Sequence, residues 1–141
     1  MSRDVFVDTS GWYALIDRND AVHGQATALV RRVLAGGGRF VTSDYVIDES
    51  CTLAKARAGS VAATRLLEVL DRSAALDLEW IGPDRFAAAK RTFRKHHDQA
   101  PSFTDCASFV VMRERRITEA VTTDHHFGIA GFTVLLGTSA P

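Results

Sequence analysis

The hydrophobic positions of the chain fall into two alternating patterns. Short apolar runs rich in β-branched residues are typical of buried strands, and the longer stretches between them repeat at helical spacing. Glycine-containing or polar segments separate the two. The short runs predict strands over residues 5–7, 39–42, 76–81, 120–123 and 132–136.

Helices are predicted from the apolar periodicity and from residues that start or stop a helix. The glycines at 36–38 end the first helix, Ser43 or Asp44 can cap the second, and Pro83 suits the first turn of the fourth. The last helix is apolar nearly all round, which predicts that it is central and buried. The helices are predicted over residues 23–35, 44–58, 61–72, 84–97 and 104–115, with a polar loop at 98–102.

Strands that alternate with helices predict an α/β fold, in which a mainly parallel central sheet is flanked by helices on both faces. The chain has 141 residues and contains no internal repeat, low-complexity tract or linker. This length suits one domain, and we expect a single domain over residues 1–141.

Composition narrows the class of protein. Hydrophobic residues make up 46% and charged residues 24%, which excludes a disordered chain or a small disulfide-rich fold. No apolar stretch is long enough to span a bilayer, and Asp4 interrupts the region where a signal peptide would be apolar, so we expect a cytoplasmic protein. Cys51 and Cys106 lack metal-binding spacing and are predicted to be reduced, buried thiols.

Acidic residues mark one edge of the predicted sheet. Ligands of open α/β sheets bind at the carboxyl ends of the strands. Asp8 follows the first predicted strand and Asp124 follows the fourth, while Glu49 lies in the second turn of a helix and Asp105 in the first turn of the buried one. We therefore expect Asp8, Glu49, Asp105 and Asp124 to converge.

Each acid also has a structural explanation. Asp8 could cap a short helix that starts near Gly11, Asp124 could be a turn residue, and Glu49 could lie on a solvated helix face. Ser102 and Asp105 match the capping-box pattern. The four together favour a site, because clustered carboxylates repel one another unless a cation binds them.

Oxygen ligands from Asp and Glu suit Mg²⁺ or Mn²⁺. A cation in such a site can activate water for attack on a phosphodiester. Competing motifs fail, since the chain has no phosphate-binding loop of the G-x-x-x-x-G-K-S/T type, and Ser10 stands where Asp-x-Asp phosphatases need their second acid. His125 and His126 are predicted to be loop residues near the site and not ligands.

Four motifs in order resemble those of the PIN-domain ribonucleases, and more narrowly the VapC toxins of type II toxin–antitoxin systems. The resemblance extends over essentially the whole chain; many relatives have glycine where this chain has Arg116. The motifs are residues 6–10 (FVDTS), 42–49 (TSDYVIDE), 102–106 (SFTDC) and 122–127 (TTDHHF), with Gly131-Phe132 after the last.

The resemblance implies a three-layer PIN-like domain and a magnesium- or manganese-dependent endoribonuclease. Asp8 and Asp105 would be the principal metal ligands. Glu49 and Asp124 would complete the acidic pocket, directly or through water, and the alignment of motifs selects Glu49 over the adjacent Asp48. Thr9 or Ser10 would form hydrogen bonds beside the first acid. The resemblance also implies an RNA substrate, a cognate VapB-like antitoxin and a homodimer.

The charge balance admits two interpretations. Lys plus Arg and Asp plus Glu are 17 each, which argues against nucleic acid when only the sum is considered. However, Lys90, Arg91, Arg94 and Lys95 share one side of a predicted helix, and Arg113, Arg115 and Arg116 follow the buried helix. These cations form either a solvated face or a basic rim for an RNA backbone. A housekeeping PIN-like nuclease and a catalytically silent RNA- or protein-binding module remain alternative functions.

Overall fold

The centre of the molecule is a parallel sheet. A computed structural model describes residues 3–96, 98 and 101–137. Within them the strands are β1 (Asp4–Val7), β2 (Arg39–Ser43), β3 (Leu76–Glu79), β4 (Glu119–Val121) and β5 (Thr133–Val134). They form one five-stranded sheet in the order β3-β2-β1-β4-β5, and each neighbouring pair is parallel.

Helices connect the strands and complete a three-layer α/β domain, which confirms the predicted fold class. The described helices are α1 (Thr9–Ile16), α2 (His23–Ala35), α3 (Asp44–Ala58), α4 (Ser60–Arg72), α5 (Gly82–Lys95), α6 (Phe103–Arg115) and α7 (His125–Ile129). The residues of α6 that pack into the core include Ala107, Val111 and Met112, as the all-round apolar pattern predicted. None of the described helices has the length and hydrophobicity that a membrane crossing requires.

Two short helices are missing from the sequence prediction. The first, α1, corresponds to the short helix for which Asp8 is a candidate cap, and it starts directly after that residue. The second, α7, spans only His125–Ile129, so His125 and His126 are helical and the prediction of a loop there was wrong. Both helices are too short for a clear apolar period, and neither is set apart from its strand by glycine or proline.

The other boundaries differ from the predictions by a few residues. Ser43 caps α3, since its hydroxyl accepts a hydrogen bond from the Val46 N–H at 3.2 Å. β3 ends two residues early because the Ile81 N–H bonds to the Asp44 carboxylate at 2.8 Å instead of joining the sheet. Arg116 adopts a left-handed conformation with φ of 56°, which favours glycine.

Some sequence predictions lie partly outside the described residues. The predicted end of the fourth helix at His97 is one of these, although α5 itself ends at Lys95. Residues 99 and 100 of the predicted polar loop are others.

Of the two free cysteines, Cys106 is buried and Cys51 is half-buried.

The strand order creates a crevice at the carboxyl edge of the sheet. The chain builds outward from β1 through β2 to β3, and then crosses to β4 on the other side of β1. Such a reversal opens a gap outside the ends of the two central strands, where ligands of α/β proteins bind. The strands beneath it are rigid, because Val5, Phe6, Val7, Ala120 and Val121 are almost completely buried.

Candidate active site

Three aspartates meet in the crevice between β1 and β4. Asp8 follows β1, Asp124 lies three residues beyond the end of β4, and Asp105 is in the first turn of α6. One carboxylate oxygen from each lies within 4.8 Å of the others, which is close enough to share one metal ion. The fold therefore brings together three of the four acids that the sequence singled out.

Asp8 is the most buried of these acids, with 4% of its surface exposed. Its Oδ2 accepts a hydrogen bond from the Thr122 hydroxyl at 3.0 Å, while its Oδ1 is buried without a hydrogen-bond partner. Burial, with a further contribution from the charges of Asp105 and Glu49, raises the pKa of Asp8 to about 7. A buried carboxylate oxygen without a donor is costly, and a cation would relieve that cost.

Asp105 takes part in the helix cap and in the acidic cluster at the same time. The Ser102 N–H donates to its Oδ2 at 3.0 Å, and the Asp105 N–H donates to the Ser102 hydroxyl at 3.0 Å, which completes a capping box. The cap therefore holds the carboxylate in place through one oxygen. Burial raises the pKa of Asp105, and the charges of Asp124 and Glu49 raise it further.

Glu49 approaches the cluster from α3. Its Oε1 accepts a hydrogen bond from the Thr9 hydroxyl at 2.7 Å, so the residue after Asp8 orients the fourth acid. Glu49 lines the same cavity as the three aspartates, whereas Asp48 lines only a neighbouring groove. This placement favours Glu49 over Asp48 as the fourth acid.

Hydroxyl groups connect the two central strand ends. Because the Thr122 hydroxyl donates its proton to Asp8, it must accept from the Ser10 hydroxyl, which lies 3.0 Å away. Ser10 in turn accepts from the Thr123 N–H at 3.0 Å, and the Asp124 N–H donates to Thr122 at 3.0 Å. Thr122 is absent from the predicted site residues, although its position directly after a buried strand is a signal for one.

His126 fixes the orientation of Asp124. Its backbone N–H and its Nδ1 both bond to Asp124 Oδ1, at 2.9 and 2.6 Å, so Asp124 also caps α7. An ionised carboxylate can only accept, and therefore Nδ1 carries the proton. The His125 ring lies against His126, with 4.2 Å between centroids, and brings a second possible metal-binding group close to Asp124. In that group the Nδ1 of His126 is already used by its hydrogen bond.

The acids line a cavity of about 430 Å³. Among the described residues, its lining contains five carboxylates and one cation, Arg57 on α3. The carboxylates belong to Asp8, Asp20, Glu49, Asp105 and Asp124. Asp20 and Arg57 are absent from the predicted site residues, because both come from segments without a recognisable motif.

The cations singled out in the sequence do not line this cavity. Arg115 is bound by Glu79 at 2.7 Å and by Asp77 at 3.2 Å, so it is part of a structural ion-pair network. Arg113 packs over two aromatic rings and donates to a backbone carbonyl. Lys90 lies over the Phe86 ring on α5. The guanidinium of Arg115 is therefore occupied by acids of its own chain, whereas the basic rim as a whole stays a prediction.

Comparison with known proteins identifies the family. The PIN domain model matches residues 5–132. The chain belongs to the PIN domain family. PIN domains are metal-dependent nucleases, and the carboxylate cluster with the unpartnered Asp8 oxygen fits a divalent cation.

Relatives of this PIN domain include a characterised endonuclease. The chain is 36% identical over 129 residues to the 23S rRNA-specific endonuclease VapC20 of Mycobacterium tuberculosis, covering 91% of this chain and 95% of that protein. The crystal structure of VapC20, described as a sarcin–ricin loop cleaving toxin, superposes with a TM-score of 0.83 at 33% identity over 92% of this chain and 96% of that one.

Two more distant structures share the fold of this PIN domain. VapBC2 from Rickettsia felis, bound to a DNA fragment from its promoter, gives a TM-score of 0.68 at 12% identity over 93% of this chain and 96% of that one. FitAcB from Neisseria gonorrhoeae gives a TM-score of 0.66 at 14% identity, covering 94% of this chain and 96% of that one. At such low identities, these matches support the three-layer fold alone.

Proposed function

We propose that the chain is a magnesium-dependent endoribonuclease and the toxic component of a VapBC-like toxin–antitoxin pair. The observation that carries the proposal is the cluster of Asp8, Asp105 and Asp124, which contains a buried carboxylate oxygen without a donor. Mn²⁺ can replace Mg²⁺ in such a site, because both prefer oxygen ligands. The identity to VapC20 makes 23S rRNA the first substrate to test.

The residues of the cavity have separate roles in the proposed reaction. Asp8 and Asp105 hold the metal, and Glu49 and Asp124 complete the site directly or through water. When bound, the metal supplies an activated water and stabilises negative charge on the phosphate. Thr9 orients Glu49 through the bond described above. Ser10 acts through Thr122, so that Asp8 and the strand ends around it keep a fixed geometry.

The proposed partners follow from the same assignment. An antitoxin would silence the enzyme in the cytoplasm, and two toxin chains would form a homodimer. Light scattering on the purified protein measures the dimer, and co-expression with a small gene encoded directly upstream tests the antitoxin. Relief of growth inhibition by that gene supports the toxin assignment, whereas a nuclease that does not inhibit growth would be a housekeeping enzyme.

Cleavage of 23S rRNA in Mg²⁺ and in EDTA tests the activity. We expect cleavage by the wild type in Mg²⁺ alone, and loss of cleavage in Asp105→Asn, whose amide oxygen can still accept from Ser102 in the cap. Asp48→Asn is the matched control, because it removes an acid that lies outside the cavity. Cleavage by Asp105→Asn at the wild-type rate would refute the site assignment.

Replacing His126 should weaken metal binding. His126→Ala removes the Nδ1–H that holds Asp124, and loss of such a supporting hydrogen bond typically costs about 10- to 100-fold in metal affinity. His126→Asn places an amide N–H near the position of Nδ1 and should retain most of the affinity. Titration calorimetry with Mg²⁺ measures both variants. If the asparagine variant lost as much affinity as the alanine variant, the hydrogen bond would not be the cause.

A further inference from the structure

The acidic cavity has an electrostatic difficulty as a site for RNA. Five carboxylates line it, and a divalent cation at the three aspartates offsets only part of their charge. A polyanionic strand that enters would be repelled by the remaining acids. A productive complex therefore needs positive charge beside the metal, and Arg57 is the cation that the described lining provides.

An aromatic ring restricts the position of Arg57 in the lining of the cavity. Its guanidinium carbon lies 5.6 Å from the centroid of the Tyr13 ring, within the range of a cation–π interaction. Interaction with the Asp17 carboxylate raises the pKa of Tyr13. The pKa of Asp17 is lowered first by the Asn19 N–H, which donates to it at 2.9 Å, and then by Tyr13. The ring thus restricts the exposed Arg57 side chain without occupying its N–H donors.

Four other arginines of the chain are bound by carboxylates. Arg3 binds Glu119, Arg39 binds Asp77, and Arg85 binds Glu79 and Glu114, in addition to the Arg115 pairs described above. No such ion pair joins Arg57 to an acid among the residues that the structure describes. Its N–H donors remain available for a ligand, and a guanidinium binds phosphate oxygens in a bidentate geometry.

The spacing along α3 places Arg57 at a distance from the acid on the same helix. Glu49, Leu53 and Arg57 are four residues apart and share one helix face that lines the cavity. At 1.5 Å per residue, Arg57 lies about 12 Å along the helix from Glu49. On α1, Thr9 and Tyr13 are also four residues apart, and they contact Glu49 and Arg57 respectively. The acid and the guanidinium therefore serve separate positions along a bound strand.

We propose that Arg57, positioned by Tyr13, binds a phosphate of the RNA strand that flanks the phosphate being cleaved. The inference rests on the proposed function and adds a substrate-binding residue to it. Arg57 contributes to RNA affinity and not to metal binding, because its charge acts on a neighbouring phosphate. Tyr13 is a positioning residue, since it acts through the guanidinium.

Kinetics of 23S rRNA cleavage with Arg57 variants test the proposal. We expect Arg57→Ala to raise KM by about tenfold with kcat changed less than about twofold, as for a lost charge-assisted hydrogen bond outside the reacting groups. Arg57→Lys keeps the charge without the bidentate geometry and should give an intermediate KM. Arg31→Ala is the matched control, because it removes an exposed cation on α2 that does not line the cavity.

Four further measurements distinguish phosphate binding from a structural role. The slope of log affinity against log salt should fall by about one for Arg57→Ala, measured with labelled RNA in the cleavage-deficient Asp105→Asn background. Mg²⁺ affinity and Tm should stay at wild-type values. Tyr13→Leu should raise KM, and Tyr13→Phe, which keeps the ring, should recover most of that loss.

The outcomes separate this inference from the proposed function. If the wild type neither binds nor cleaves RNA, both fail. If the wild type cleaves and Arg57→Ala behaves like Arg31→Ala, only the role of Arg57 is overturned. A fall in kcat without a change in KM also overturns it. The same holds if RNA kinetics are unchanged while antitoxin capture is lost, because Arg57 would then be a protein contact.

Discussion

Asp8→Asn is expected to lose metal-dependent cleavage and, in the metal-free state, to be more stable than the wild type above pH 7. Loss of a principal metal ligand should lower kcat by about a thousandfold or more, since the metal supplies several kcal/mol of transition-state stabilisation. The gain in stability has a separate origin, which is the buried charge of Asp8.

The direction of the pH dependence follows from the raised pKa. The ordinary pKa of an aspartate is 3.8, and the pKa of Asp8 in the folded protein is about 7, mainly because of burial. Between these values the folded state binds more protons than the unfolded state, so the stability that Asp8 contributes decreases as pH rises. Above pH 7 both states are ionised and the whole cost, up to about 4 kcal/mol, is present. Asparagine is neutral and avoids that cost.

Thermal unfolding in EDTA at pH 4.5 and pH 8 measures the effect. The Tm values of wild type and Asp8→Asn should be close at pH 4.5, where Asp8 is protonated when folded, and the variant should unfold at the higher temperature at pH 8. Excess Mg²⁺ at pH 8 should then raise the Tm of the wild type alone, because the metal binds only an intact site. A variant that is less stable than the wild type at pH 8 would mean that donors, and not burial, dominate at Asp8.

The acids that follow the strands could be placed together from sequence, because their position depends only on the topology of the sheet. Asp8 and Asp124 follow predicted parallel strands, and the edge of the sheet brings them together whatever the details of the loops. Asp105 was harder to interpret, since its capping box offered a complete structural explanation. In the structure Asp105 has both roles. One oxygen of its carboxylate accepts a hydrogen bond in the helix cap, and the carboxylate also belongs to the acidic cluster.

The contacts across the cavity could not be predicted from sequence. Arg57 and Arg115 are the same type of residue, but their surroundings differ. Arg57 lies over a tyrosine ring at the cavity, whereas Arg115 is bound by two acids in an ion-pair network. Such partners come from distant parts of the chain and depend on how α1, α3 and α6 pack. The sequence therefore gives the charge at each position. Whether that charged side chain is free to bind a ligand depends on the fold.

Gly11→Ala should be the most destabilising small substitution near the site. A Cβ at Gly11 would lie 2.1 Å from the backbone carbonyl oxygen of Val121, so α1 could not keep its present position against β4. Because the obstacle is backbone, it cannot move aside as a flexible side chain would. We expect a loss of about 3 kcal/mol, at the upper end for overpacked cores, and a fall in Tm of roughly 10 °C.

The same displacement should impair the site in whatever protein remains folded. α1 carries Thr9 and Ser10, whose hydrogen bonds orient Glu49 and Thr122, so a shift of the helix would disturb the acids at both strand ends. Gly24→Ala on α2 is the matched control, because a Cβ there meets nothing within 4 Å and alanine favours the helix by up to about 1 kcal/mol. Calorimetric Tm and the cleavage rate at 20 °C compare the two variants. If Gly11→Ala were as stable and active as Gly24→Ala, the close approach of α1 to β4 would not be what holds Thr9 and Ser10 in register with the acidic cluster.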